Sequence, residues 1–372
     1  MASGRLRIGF VAERMLQGFG VDLVVDQVAE GLAAAGHEVT VYASVSDDTF
    51  EAEGYNLKLI PTRTSPFFPR YDLAAARHLR FLNHEGNDLW FIETFPFYSY
   101  LPWLKAPAVA VDHGVSSTEG FPIKIRANFA YVKGMQQRFY FRSARRIVTV
   151  SEYLKTLLPA VLRERVRVIY NGADHYARPA EGAGARLRKE LGVKPDEVLM
   201  LYVGRLSSAD QPYKGTAELA EMARRLRRED PKLRLLMVGF GGQREENWLG
   251  RTGALVITNA PAEQMPAIYS ASDMYLTASR WEGFDLPLVE AQSFGKPVAA
   301  LDIGAHPEVV NKGRSGLLAG SLAELEAAAR RLAGDPGLRA EMGRAAAGFA
   351  ERFTWKRAVD EYLDLAEELT GG

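Results

Sequence analysis

Short apolar runs alternate along this chain with longer stretches that carry apolar residues at helical intervals. Arg7 to Ala12 is such a run, and a loop with two glycines, Gly18-Phe19-Gly20, follows it. Val21 to Ala35 then shows helical spacing and stops at Gly36, the residue type that most readily closes a helix in the left-handed conformation. Val39 to Ala43 is the next apolar run, so the chain opens with a β–loop–α–β unit of a doubly wound parallel sheet. Further strands are predicted at Leu57–Ile60, Leu89–Glu93, Ala108–Val111, Ile147–Val150 and Val166–Tyr170, with helices between them, one of them long, from Ile123 to Ser143. Residues 177–185 are small, polar and turn-rich, and read as a linker. The alternation then restarts: strands at Val198–Val203, Leu233–Val238, Leu255–Thr258, Asp273–Ala278 and Val298–Leu301, helices from Lys214 to Arg228 and from Leu286. About 50 residues at the end are rich in Ala, Leu, Glu and Arg and read as helical. The pattern predicts an α/β chain of two Rossmann-like β/α/β domains, with the C-terminal strand ends of both sheets at a central cleft.

Composition narrows the class. A chain of 372 residues suits two domains, and 47% apolar with 25% charged residues is ordinary for a globular protein. Lys+Arg and Asp+Glu each number 46, so the net charge is zero and a nucleic-acid partner is not expected. There is no cysteine, which removes disulfides, thiolate catalysis and cysteine-based zinc sites and is compatible with a reducing cytoplasm. The first residues enter a strand without an apolar leader segment, and no run approaches the about 18 apolar residues of a membrane span.

The richest local pattern is Ser279-Arg-Trp-Glu-Gly-Phe-Asp-Leu-Pro-Leu-Val-Glu290. A buried strand precedes it and a helix start follows, so the turn Glu282-Gly283-Phe284-Asp285-Leu286 offers free N–H groups and the positive end of a helix dipole. Glu282 can accept hydrogen bonds from sugar hydroxyls, and Glu290, about two turns into the helix, from a vicinal diol such as a ribose. The plain alternative is one solvated loop glutamate and one on a helix surface. Arg205 stands at the C-terminal end of the first strand of the second half, and Lys214 opens the next helix. Two cations beside a helix start suit a diphosphate, although each can equally be a solvated or carboxylate-paired surface charge. Gly20 lets backbone approach a phosphate, or simply serves a β–α turn. His113 ends the strand Ala108–Val111 in a His-Gly turn, where it is either a turn residue or a functional one. No Asp-x-Asp pair or His/carboxylate cluster has metal-ligand spacing. Residues 121–146 hold Lys124, Arg126, Lys133, Arg138, Arg142, Arg145 and Arg146, with Phe129, Tyr131, Phe139, Tyr140 and Phe141 interleaved and no acid. Such a helix either packs its aromatics inward or lies on an anionic membrane surface. Aromatic loops at Pro61–Tyr71 and Glu93–Trp103 are candidates to shape an acceptor pocket.

These motifs, in this order, resemble the retaining glycosyltransferases of GT-B architecture, family 4. The resemblance spans roughly residues 6 to 355 and rests on the Glu-x7-Glu segment, Gly204-Arg-Leu with Lys214-Gly, the Gly18–Gly20 loop, Asp112-His-Gly, Val150-Ser-Glu and Asn171-Gly-Ala-Asp174. The family generally reads Glu-Gly-Phe-Gly. Here Asp285 replaces the last glycine, which brings a negative charge and asks for a φ open to a non-glycine residue. The resemblance implies an acceptor domain over 1–175, a nucleotide-sugar domain over 176–354 and a final helix, about 355–372, returning to the first. It implies that Glu282 holds the donor sugar, Glu290 the ribose, and Arg205, Lys214 and the amides of 283–286 the diphosphate, with Gly20 near the β-phosphate and His113 near the reaction centre. The implied reaction is metal-independent transfer of a hexose, with retention, from a GDP-mannose or UDP-glucose type donor. The donor is a co-substrate, and no cofactor is expected. The acceptor is a glycan, a lipid-linked or a small-molecule hydroxyl. Residues 121–146 are a candidate membrane contact, and the implied location is cytoplasmic, at the inner face of the membrane if that contact exists. Two other readings share the architecture: a nucleotide-sugar 2-epimerase, and a non-catalytic nucleotide-sugar binder.

Overall fold

The computed structural model of the chain describes residues 4–47, 50–60, 78–115, 118 and 120–371. The aromatic stretch 61–71 lies outside them. The chain forms two compact units, one of Met1–Val115, Pro122–Asn171 and Trp355–Gly372, the other of Ser116–Phe121 and Gly172–Thr354.

The first unit carries seven strands: β1 (Arg7–Met15), β2 (Glu38–Ser46), β3 (Asn56–Leu59), β4 (Leu89–Ile92), β5 (Ala108–Asp112), β6 (Arg146–Thr149) and β7 (Val166–Val168). They pair in parallel in the order β3-β2-β1-β4-β5-β6-β7. Strands such as Leu89-Trp-Phe-Ile92 are apolar at every position because helices cover both faces of a parallel sheet. The helix α1 (Gly20–Ala34) starts at Gly20 itself. Its Asp22 is buried and accepts from the Leu16 N–H at 3.0 Å, which fastens the loop after β1 to the helix. Burial pushes the Asp22 carboxyl up to about 6 against the pull of Arg14. The last helix, Trp355–Thr370, packs on α1 where Gly31 leaves room for Val359, and Tyr362 meets Phe91 edge-on at 5.3 Å.

Two expectations for this unit change. Phe97, Tyr98 and Tyr100 of the Glu93–Trp103 stretch are buried in the core with Trp90 and Ile92, and Phe95 is half-buried against it, so these aromatics pack inward instead of lining a pocket, and of the five only Trp103 stays exposed. The long basic segment is helical over α2 (Ile123–Met135) and continues through a π turn to Ser143. No side chain of α2 is buried: Ile123 is 80% exposed and Tyr131 50%, with Phe139 at 58%, while Tyr140 and Phe141 enter the core.

The second unit has six strands: β8 (Val198–Val203), β9 (Leu233–Gly239), β10 (Leu255–Thr258), β11 (Met274–Leu276), β12 (Val298–Leu301) and β13 (Gly316–Ala319). Their order, β10-β9-β8-β11-β12-β13, is again all parallel. The sheet therefore reverses direction between β8 and β11, the switch point outside which open α/β sheets take ligands. Helix α3 (Thr216–Glu229) buries Leu219, Met222 and Leu226 against β8 and β9. The turn-rich stretch 177–185 is no free linker. Helix Ala183–Glu190 begins within it, Gly184 packs on the backbone of Ser270 and Ala271, and the Arg178 guanidinium lies 4.7 Å over the Phe294 ring. The fold class read from the alternation, two Rossmann-like α/β domains, is what both sheets show.

Candidate functional site

The turn after β11 leads into α4 (Leu286–Ser293). Sequence spacing puts Glu282 and Asp285 in this turn, and three neighbouring segments fix it there. The first is the 3-10 turn Pro212–Lys214. Lys214 was expected to open a helix, but it ends this turn, and α3 starts at Thr216. Gly215, at φ +65°, is the hinge, and a Cβ on it would lie 2.3 Å from the Ala278 carbonyl. Only glycine allows so close an approach. Arg280 ties down the other side, its N–H donating to the Tyr213 carbonyl at 2.7 Å. Lys214 thereby reaches Glu282, Nζ to Oε1 at 2.7 Å, with both groups largely buried.

The second segment follows β12. The Ala305 N–H donates to the Glu282 carbonyl at 3.1 Å, and His306 Nε2 meets Asp285 Oδ2 at 3.0 Å. Asp285 is left-handed at φ +74°, one of two such non-glycine residues among those described. Its carboxylate is buried against His306, so the charge that replaces the family's glycine is neutralised within the protein. The third segment is α4 itself. Glu290 sits one turn into it, not two, and is buried. The Tyr269 hydroxyl donates to its Oε2, and His175 Nε2 is 3.6 Å from Oε1.

The electrostatics follow from this burial. Burial disfavours the Lys214 ammonium, but Glu282 and Asp285 outweigh it and hold its pKa above the ordinary lysine value. Burial likewise opposes a charged His306, and the bond to Asp285, then Glu282 and the Leu301 carbonyl, reverse that and raise its pKa. For Glu290 burial wins and pushes the carboxyl up to about 7, despite the Tyr269 hydrogen bond. Burial pushes His175 down to about 4. The arrangement is a charged, pre-set turn, with a lysine–glutamate and a histidine–aspartate pair holding carboxylates at a helix start.

Of the residues predicted from sequence, Lys214, Glu282, Gly283, Phe284, Asp285, Leu286 and Glu290 come together here. Arg205 follows β8 across the same switch point, with its guanidinium 4.8 Å over the Phe240 ring. Gly20 and His113 belong to the first unit. His113 Nε2 lies 2.8 Å from Glu93 Oε2. Burial raises the Glu93 pKa, against the lowering effect of His113. His306, Tyr269, His175 and Glu93 were not foreseen. A polar residue ending an apolar strand, as in Leu89-Trp-Phe-Ile-Glu93, was the only trace of the last. Among the described residues, no three His, Asp or Glu side chains are grouped so as to hold a metal ion.

Residues 20–176 match the family described as Glycosyltransferase Family 4, and residues 197–335 the family described as Glycosyl transferases group 1. The chain belongs to the family 4, group 1 glycosyltransferases. Its curated relatives include D-inositol 3-phosphate glycosyltransferases of Streptomyces bingchenggensis, 33% identical over 56% of this chain and 49% of the relative, and of Nocardia farcinica, 33% identical over 54% and 47%. The chain thus spans about half the length of the curated relatives it matches. Solved structures with this fold include Anabaena Alr3699/HepE in complex with UDP and glucose (TM-score 0.80, 21% identity, covering 98% of this chain and 100% of that one). Sucrose-phosphate synthase from Thermosynechococcus elongatus is similar too (TM-score 0.78, 19% identity, 99% and 100% covered). These likenesses and the two parallel sheets place this chain in the GT-B fold class. No helix among the described residues is long and apolar enough to cross a membrane.

Proposed function

We propose that this protein transfers a hexose from a nucleoside diphosphate sugar to an acceptor hydroxyl, with retention at the anomeric carbon and without a metal. The observation that carries the reading is the buried Lys214–Glu282 pair in the turn after β11, at the head of α4 with Glu290 one turn on. Charge builds on the departing diphosphate as the glycosidic bond breaks. Arg205, Lys214 and the amides of 283–286 are the groups that meet it. Glu282, paired with Lys214, serves as an anionic acceptor for sugar hydroxyls and holds the ring, rather than attacking it. Retention then follows from front-face attack, with the departing phosphate taking the acceptor proton. Glu290 receives the ribose diol, and His113, oriented by Glu93, stands on the acceptor side. The 2-epimerase reading does not call for this glutamate turn, and family membership favours transfer.

The donor class is UDP- or GDP-linked. The Anabaena neighbour's complex with UDP and glucose, and the inositol-phosphate relatives, suit a nucleotide-sugar donor and a polyol, glycan or lipid-linked acceptor. A thermal-shift panel of nucleoside diphosphates and their sugars, without metal, tests the donor site. A ligand at a hundred times its Kd adds about 2.7 kcal/mol of stability. A selective rise in Tm with UDP or GDP species supports the reading, and no rise with any of them refutes it. Glu282→Ala should bind free nucleotide yet lose transfer, and full activity in that variant would rule out its role. The exposed Ile123, Tyr131 and Phe139, set among Lys124, Arg126, Lys133 and Arg138, favour contact of the first unit with an anionic membrane. Flotation with anionic but not with neutral vesicles is the expected result. Equal flotation, or none, excludes it.

A further inference from the structure

His306 is wholly buried, and both of its ring nitrogens face oxygen. Nδ1 is 2.7 Å from the Leu301 carbonyl at the end of β12, and a carbonyl can only accept, so Nδ1 carries a proton. Nε2 lies 3.0 Å from an Asp285 carboxylate oxygen. The ring therefore bridges the end of one strand to the left-handed residue that starts α4. The same loop grips the turn twice more. Ala305 donates to the Glu282 carbonyl at 3.1 Å, and Gly304, at φ +53°, comes so close that a Cβ would sit 2.4 Å from that carbonyl oxygen. The turn carrying Glu282 is thus shaped from outside, by residues 301–306. Other groups that interact electrostatically with this pair include Lys214, Glu282, Glu290 and the phenols of Tyr202 and Tyr275.

We propose that His306 is a positioning residue of the donor site: by pairing with Asp285 and tying it to the end of β12, it holds the 282–285 turn so that Glu282 meets the sugar and the Asp285 charge points away from the diphosphate. The proposal rests on the donor-site reading above. Without the imidazole, Asp285 is a buried carboxylate that has lost its hydrogen-bonded partner, and the remaining cation, Lys214, is already paired with Glu282. Asp285 would relax by turning toward solvent or by dragging the turn with it, and either movement displaces Glu282.

The test is a double-mutant cycle in the full-length chain with His306→Gln, Asp285→Gly and the two combined. Calorimetry gives Kd for UDP-glucose or GDP-mannose, whichever binds the unaltered protein, and for the matching nucleoside monophosphate, which lacks both sugar and β-phosphate. His306→Gln should raise Kd for the sugar nucleotide about tenfold or more. The monophosphate should change less than about twofold, because the distal end of the site is intact. On the Asp285→Gly background, His306→Gln should cost less than about threefold, since the two residues act through one interaction. An unchanged sugar-nucleotide Kd, a parallel loss for the monophosphate, or the same penalty with and without Asp285 each overturns the proposal. Should His306→Gln alone not fold, the Asp285→Gly single and the double variant still decide it: a gap under about threefold supports coupling and one over about tenfold refutes it. Failure of the unaltered protein to bind any sugar nucleotide removes the donor site itself, and this proposal with it, before any variant is made.

Discussion

Replacing Glu290 by glutamine should change the slope of stability against pH. Glu290 is buried in α4, with one oxygen on the Tyr269 hydroxyl. Burial raises its pKa from 4.5 to about 7 in the folded protein, Tyr269 opposing and Asp285 adding to the rise. His175, pushed down to about 4, is neutral over that range and supplies no compensating charge. A carboxyl whose pKa is raised by folding is stabilising while it stays protonated. Its contribution is complete below the unfolded value and is lost as pH rises through the folded one. At 1.36 kcal/mol per unit, the shift corresponds to about 3 kcal/mol, most of it lost between pH 5 and pH 8. Glutamine keeps an oxygen for Tyr269 and cannot ionise, so the variant loses nothing over this interval. Calorimetric melts of both proteins at several pH values would show the variant gaining on the parent by about 2–3 kcal/mol from pH 5 to pH 8. That is roughly 5–10 °C for a domain of this size. Any fixed cost of the amide moves the two curves apart equally at every pH, so the test is the difference in slope. Parallel curves would refute the claim that a buried, proton-binding carboxyl sits at this position.

Other outcomes follow from the same geometry. Lys214→Met leaves Glu282 buried without its counter-ion and should cost about 3–5 kcal/mol in urea melts, a loss that Glu282→Gln in the same chain should largely restore. Gly304→Ala asks for a Cβ 2.4 Å from the Glu282 carbonyl at φ +53°. It should lower stability by about 1–3 kcal/mol and weaken sugar-nucleotide binding in calorimetry. Gly31→Ala, where a Cβ would strike the Val359 side chain at 2.3 Å, should also cost about 1–3 kcal/mol, with nucleotide affinity unchanged because the contact lies within the first unit.

The strands of the second unit were legible almost to the residue. Val198–Val203, Leu255–Thr258 and Val298–Leu301 stand as read, because the two inner strands are apolar runs buried by helices and the half-buried edge strand Leu255-Val-Ile-Thr258 is rich in β-branched residues. β13 was not read. Gly316-Leu-Leu-Ala319 is too short to stand out, and its glycine is there because a Cβ would press on Val298 and Val310. The basic segment was correctly seen as a helix, but which aromatics it buries was not. Periodicity gives a helix, whereas only neighbouring elements decide that Phe141 enters the core and Tyr131 does not.

Sequence alone determined the class of fold, the order of its strands along the chain and the glutamate turn as the place to look. Those follow from local rules: apolar runs, helical spacing, and glycines where the backbone must turn. Tertiary structure alone decided the charge partners. Lys214 finds Glu282 across a spacing of 68 residues, and His306 finds Asp285 across 21, because the sheet order sets β8, β11 and β12 side by side. Whether a carboxylate there is an anion, a neutral acid or half of an ion pair depends on burial and on which group lies within 3 Å, and neither is written in any local stretch of residues.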